Sequence, residues 1–237
     1  MNNITGLIYT AKNDNNIGEC IKSVKLLTDN IILVYPDSKI VETVREKGIK
    51  MAKTDWVLIL DADERITQEL AEEIKKIINE KNQNFAGYKI PRKNIFSKTK
   101  WLKYGGWWPD YQTRLINKKY FVTWPKQIHS TPIIKGKIGF LKHPLLHFFH
   151  GDLEKMVEKT AIFEDIESDL LYHAKKNANT IIFFRKFFGE LYRRLIKKFG
   201  FLDGKIGIIE SIYQAFSKTI TYLFLYEKNK ISKNRSL

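Results

Sequence analysis

The sequence predicts an α/β protein, with a mostly parallel sheet flanked by helices and then a helical C-terminal region. Three observations carry this. Short apolar runs alternate with stretches of helical spacing through the first half of the chain. One run, Trp56-Val57-Leu58-Ile59-Leu60, lacks polar alternation, as a strand buried on both faces requires. Beyond residue 151 the strand signals stop and long helical patterns take over.

Taken in order, "ITGLIYTA" reads as a first strand, "NIGECIKSVKLL" as a helix and "NIILVYP" as a second strand ended by Pro36. "KIVETVREKGIKMA" is a basic helix, "WVLILDAD" a strand, and "QELAEEIKKIINE" a helix that Thr67 can cap. "FAGYKIPR" is a further strand, and residues 93–120 are rich in Trp, Tyr, Gly and Lys. "LEKMVEKTAIFEDIESDLLYHAKK", "TIIFFRKFFGELYRRLIKKFG" and "KIGIIESIYQAFSKTITYLFLYEKNK" then read as three helices, the last two parted by a turn at residues 200–204. The expected division is a body over 1–151 and a helical region over 152–237.

A chain of 237 residues with 43% hydrophobic and 28% charged content is long enough for one large domain or a domain with an appendage. A lone cysteine, Cys20, excludes a disulfide framework and fits a reducing cytoplasm. Its place in the pattern Ile17, Cys20, Ile21, Val24 predicts burial. The N-terminus has no basic leader, and no apolar run reaches the roughly 18 residues a spanning helix needs, so neither signal peptide nor membrane span is expected. The net charge of +15 suits nucleic acid, anionic lipid or a phosphorylated ligand.

The chemistry concentrates at "LDADER". Asp61 and Asp63 follow a buried strand, and ligands of open α/β sheets bind beyond the carboxyl ends of strands. Because Thr67 is available to cap the next helix, the two carboxylates are free to share a divalent cation, Mg2+ or Mn2+, and the phosphates it carries. Helix capping is the structural alternative. An Asp-x-Asp phosphatase is the chemical one, but it sits poorly with Arg65 and with two preceding strands.

The segments "LIYTAKNDNNIGECIKSVK", "DWVLILDADERIT", "GYKIPRKN", "KYGGWWPDYQTRLI" and "HPLLHF", in this order, resemble family 2 glycosyltransferases of the GT-A (Rossmann-like) fold, nearest the lipopolysaccharide-core glucosyltransferase type. The resemblance runs over residues 3 to 225. It implies inverting transfer of a sugar from a nucleotide-diphosphate donor to a glycan or lipid-linked acceptor, as in cell-envelope glycan synthesis. On that likeness Thr10, Lys12 and Asn13 lie beside the nucleotide, Asp14 stands where Glu is usual, and Asp37 takes the place of a base-contacting Asp. Asp61 and Asp63 hold ribose and metal diphosphate, and His147 completes the metal site. Asp110 is the acceptor's base, with Gln112 and Arg114 a neighbouring polar pair. Against the family pattern there is room for one helix only between the second strand and "WVLILDAD", so a strand–helix unit is missing. Ser130 also stands where Glu is common after His. A truncated, non-catalytic GT-A-like binding protein is therefore the alternative.

Gly105-Gly106-Trp107-Trp108 reads as a hinge with flat apolar faces suited to closing over a sugar. In the tail, Arg185, Lys186, Arg193, Arg194, Lys197 and Lys198 alternate with aromatic and aliphatic residues at helical spacing. Such a helix suits an anionic membrane surface, which places the chain in the cytoplasm, peripheral on the inner face of the cell membrane. No nucleic-acid module is present, and no nucleic-acid partner is expected.

Overall fold

The computed structural model describes residues 3–36, 41–80, 84–127, 130–149 and 153–235. The elements are β1 (Ile4–Tyr9), α1 (Ile17–Val24), β2 (Ile31–Val34), α2 (Glu42–Met51), β3 (Trp56–Asp61), β4 (Glu64–Arg65) and α3 (Gln68–Ile78). Next come β5 (Gly87–Phe96), β6 (Lys100–Trp101), β7 (Asp110–Asn117), β8 (Phe121–Thr123), β9 (Ile133–Ile134), β10 (Ile138–Phe140) and β11 (Leu145–Phe149). The helices α4 (Leu153–His173), α5 (Thr180–Leu191) and α6 (Gly204–Arg235) follow. Two compact units result, one of residues 1–94 with 109–148, the other of 95–108 with 149–237.

The first unit is built on a mixed sheet in the order β2-β1-β3-β7-β5-β11-β4. β1 pairs in parallel with β2 and β3, as the alternating strand–helix order requires, and β7 runs antiparallel to both β3 and β5. The missing polar alternation of β3 has a direct cause. Trp56, Leu58 and Leu60 enter one core beneath α1 and α3, while Val57 and Ile59 enter the other with Val44 and Ile49 of α2. Both faces are covered, so both residue sets are apolar. Close helix packing needs small residues here. A Cβ on Gly48 of α2 would fall on the Tyr9 ring and hydroxyl. Thr67 caps α3, its hydroxyl accepting from the Leu70 N–H at 3.2 Å. Cys20 is fully buried, and burial pushes its thiol up to about 12.

β7 was not among the strands expected from the sequence. Its residues read as a polar, aromatic loop because the side chains that matter, Gln112 and Arg114, serve the site described below rather than the core.

In the second unit α4 and α5 both pack along α6. Polar ties fix the α4–α6 pairing: Ser217 donates to Glu164 at 2.5 Å, and the Lys228 ammonium donates to Asp165 and Asp169 at 2.7 and 2.6 Å. Between α5 and α6 lie a π-helical turn, Tyr192–Lys197, and a 3-10 turn, Gly200–Asp203. The segment 95–108 belongs to this unit. The last two residues of β5 pair with β6, Ile95 opposite Trp101, and the Lys103 and Tyr104 N–H groups donate to Asp203 at 2.9 and 2.8 Å. Trp107 packs with Phe96, Leu102, Phe149 and Ile206, its ring 4.9 Å from that of Phe149. Gly105 and Gly106 have φ of 65° and 87°, the turn conformation that glycine tolerates. Trp107 is thus held in an apolar cluster rather than presented as a platform for a sugar.

Candidate active site

β3 delivers Asp61 to the carboxyl edge of the sheet, where the chain turns at once into β4. Arg65 pins this turn, donating to the carbonyls of Ala62 and Glu64 at 2.5 and 2.7 Å and of Asn16 at 2.8 Å. β4 pairs antiparallel with β11 and places His147 opposite Glu64. The Phe148 N–H donates to the Asp63 carbonyl at 2.9 Å, bringing Asp63 beside His147. β5 and β7 pair in register with Arg92 opposite Asp110.

These strand ends carry a continuous ladder of charged groups. The Asp61 carboxylate accepts from Arg45 at 2.8 Å on one oxygen and from Arg114 at 2.6 Å on the other. The same Arg114 nitrogen donates to Glu64 at 2.6 Å. Glu64 also accepts from Arg92 at 3.2 Å and from the Asp61 N–H at 3.1 Å. Arg92 grips Asp110 Oδ2 through two nitrogens at 2.9 and 2.7 Å. Glu64 is fully buried, so these pairings are what make its charge tolerable there. Arg45 is fixed on its other side by aromatic faces, its guanidinium 4.9 Å from the Tyr9 ring and 5.2 Å from that of Trp124.

The ladder continues through a neutral residue. Asn94, wholly buried, donates its amide to Asp110 Oδ2 at 3.1 Å. That contact orients the amide, so its carbonyl oxygen faces His147 Nδ1 at 2.6 Å and Nδ1 is the donor. His147 Nε2 then faces Asp63 Oδ2 at 3.7 Å. Asp110 Oδ1 accepts from Gln112 at 2.7 Å and keeps a lone pair for a further donor.

Electrostatics follow from the partners. Burial opposes ionisation of Asp61, but Arg114 and then Arg45 outweigh it and hold the carboxyl well below the usual carboxylate range. Asp110 is lowered in the same way: burial resists, and Arg92, Asn94 and Gln112 prevail. Burial also resists the charge on Arg114, yet Asp61 and Glu64 hold its proton more firmly than usual.

The residues singled out in the sequence are distributed unevenly around this edge. Asp61, Asp63, Asp110, Gln112, Arg114 and His147 all lie in this one assembly. Thr10 is buried just after β1, donating its hydroxyl to the Ala11 carbonyl at 3.0 Å, and Lys12 and Asn13 are exposed in the loop that follows. That loop leaves the same sheet edge, since Tyr9 pairs with Asp61. Asp14 accepts from the Asn16 backbone at 2.9 Å and forms the turn into α1. Asp37 lies outside the described residues.

The expected metal ligands lie as follows. Asp61, Asp63 and His147 do not assemble as a three-residue metal set, and among the described residues no three of His, Cys, Asp and Glu converge on one point. Both Asp61 oxygens face guanidinium groups, which would repel a cation. Asp63 and His147 alone offer a fitting donor pair, one oxygen and one nitrogen, too far apart for a hydrogen bond and suitably spaced to share an ion. Arg45, Glu64, Arg92 and Asn94 were not singled out in the sequence, although Arg92 and Asn94 lie two residues apart and so share one face of β5.

Residues 41–136, which contain most of the ladder, match the model of glycosyl transferase family 2. A Rickettsia conorii protein named as an uncharacterized glycosyltransferase is 27% identical, over 98% of this chain and 92% of its own length. A Rickettsia typhi protein of the same description is 28% identical over 99% of this chain and 90% of its own. A crystal structure of S. aureus TarS 1–349 in complex with UDP covers 97% of this chain and 91% of its own at 13% identity, with a TM-score of 0.43. The matched stretch and the relatives agree on one activity class: the chain is a glycosyltransferase, and its residues 41–136 are similar to the family 2 model.

Proposed function

We propose that the site transfers a sugar, with inversion, from a nucleotide-diphosphate donor to a glycan or lipid-linked acceptor of the cell envelope. The observation that carries this reading is the hydrogen-bonded run from Asp110 through Asn94 to His147, whose Nε2 faces Asp63 at 3.7 Å, at the sheet edge where Asp61 ends β3. Asp61, fixed by two arginines, presents a rigid carboxylate able to accept a ribose hydroxyl. The neighbouring Thr10, Lys12 and Asn13 loop suits the nucleotide.

Asp63 Oδ2 and His147 Nε2 would hold a divalent cation. The imidazole nitrogen favours Mn2+ over Mg2+. When bound, such an ion neutralises charge on the departing diphosphate. The protein's own step belongs to Asp110. Its Oδ1 takes the acceptor hydroxyl's proton as that oxygen bonds to the anomeric carbon and the bond to the diphosphate breaks. The clamp from Arg92 and Asn94 keeps Asp110 ionised and aimed at the cost of basicity.

The membrane reading follows from the tail. Among the described residues no helix is long and apolar enough to cross a membrane, and a lipid-linked acceptor gives the basic helix a purpose. We place the chain in the cytoplasm, peripheral on the anionic inner face of the cell membrane.

The deciding experiment measures transfer or donor hydrolysis by purified protein with Mn2+ across UDP-, GDP- and ADP-sugars. Asp110→Asn is expected to lower kcat by about 10²–10⁴-fold with little change in donor affinity. Asp63→Ala is expected to abolish the Mn2+ dependence, and full activity in that variant would refute the metal role.

A further inference from the structure

We infer that α5 and the groove beside it form a docking face for an anionic lipid bilayer, with one acyl chain seated among phenylalanine rings. This rests on the membrane reading above and gives it a location. Ile181, Phe184, Phe188, Tyr192 and Ile196 recur every three or four residues along α5 and the π-helical turn, and all are exposed, Ile181 to 77%. A continuous apolar line of this length on a water-facing helix marks an interaction site rather than ordinary surface. Phe184 and Phe188 stack at 6.2 Å with their planes 9° apart. Beside them runs a groove of about 480 Å³ lined by Thr180, Phe183, Phe184, Phe187, Phe188 and Thr219. Its walls are rings and methyl groups, with two threonine hydroxyls as the polar side-chain atoms, which suits a hydrocarbon chain and not a sugar or a nucleotide.

The flanking charge selects the partner. Arg185, Lys186, Arg193, Arg194, Lys197 and Lys198 lie along the same stretch, and Glu190 is the one carboxylate among them. That carboxylate is already held by Arg193 at 2.9 Å and Arg194 at 2.7 Å. The arrangement is apolar along one line with cations beside it, which matches acyl chains beneath anionic headgroups. A second copy of the chain would bring like charges together on this face and fits poorly. Where α5 ends, the turn carries exposed Ile196, Phe199, Phe201 and Leu202 next to Lys197 and Lys198, and so extends the same character.

Flotation with phosphatidylcholine vesicles, with and without phosphatidylglycerol, tests this on the full chain. Binding is expected to the phosphatidylglycerol vesicles alone, and to weaken as salt is raised. Phe184→Ser with Phe188→Ser removes exposed rings and should leave the circular dichroism unchanged while lowering vesicle binding at least about tenfold. Calorimetric titration with monomeric lysophosphatidylglycerol reads the groove, and Thr219→Phe, which fills it, should weaken that binding about tenfold. If the double serine variant floats as well as the parent, this face is wrong and membrane attachment lies elsewhere. If the parent fails to float with anionic vesicles, both the face and the peripheral reading fall. Dimerisation that the serine variant abolishes, without vesicle binding, would overturn the proposal in favour of self-association.

Discussion

Asp61 accepts from two arginines, and Arg114 in turn holds both Asp61 and Glu64 through a single nitrogen. Removing one member leaves the others charged and short of partners in a half-buried setting, which costs far more than the pair contributes. Asp61→Asn is expected to lower stability by about 3 kcal/mol at neutral pH, read from urea denaturation. The pH dependence has a definite sign. Asp61 and Asp110 are both held below an unfolded value of about 3.9, so their contribution is complete above about pH 4 and drains away as the solution is acidified. Acid titration of the parent should therefore show a steeper loss below about pH 4 than that of Asp61→Asn. Cys20 is the converse case, a buried thiol raised to about 12. It should resist thiol reagents in the native protein and react at once in denaturant, as absorbance of the released chromophore will show.

At the scale of elements, small contacts determine whether helices reach the sheet. Gly48→Ala would press on Tyr9, whose hydroxyl donates to the Arg45 carbonyl at 2.8 Å. The expected loss is about 1–3 kcal/mol, and under the proposed function activity should fall too, because Arg45 holds Asp61. Thr67→Ala should cost about 1 kcal/mol through the lost cap and leave transfer at the parent's rate, a contrast that thermal melts with parallel assays will reveal. Elements whose apolar residues serve packing were legible in the sequence: β1, β3 and α3 declare themselves because their periods match the cores they enter. β7 did not, since Gln112 and Arg114 point toward charge rather than hydrocarbon. Arg45 was hidden for a related reason. On a basic helix one arginine resembles the exposed lysines around it, and only the fold reveals that it sits between Tyr9 and Trp124.

For the whole molecule, the division into two units depends on where a short excursion belongs. Residues 95–108 leave β5 and join the helical unit through Asp203, which receives the Lys103 and Tyr104 N–H groups. Nothing local in "KYGGWW" announces a partner a hundred residues away, so this association was beyond sequence reasoning. Asp203→Ala should free the excursion and raise cleavage near Gly105-Gly106 in limited proteolysis, at a stability cost of about 1–3 kcal/mol.

The arginines at that edge have one more consequence. Arg45, Arg92 and Arg114 are each already committed to Asp61, Glu64 or Asp110. A site whose fixed positive groups are paired this way would exert little pull on a pyrophosphate, however basic the chain is elsewhere. Under the proposed function, the order of addition should therefore be strict, with ion first and nucleotide second. Donor on-rates should climb with manganese concentration and scarcely respond to sodium chloride.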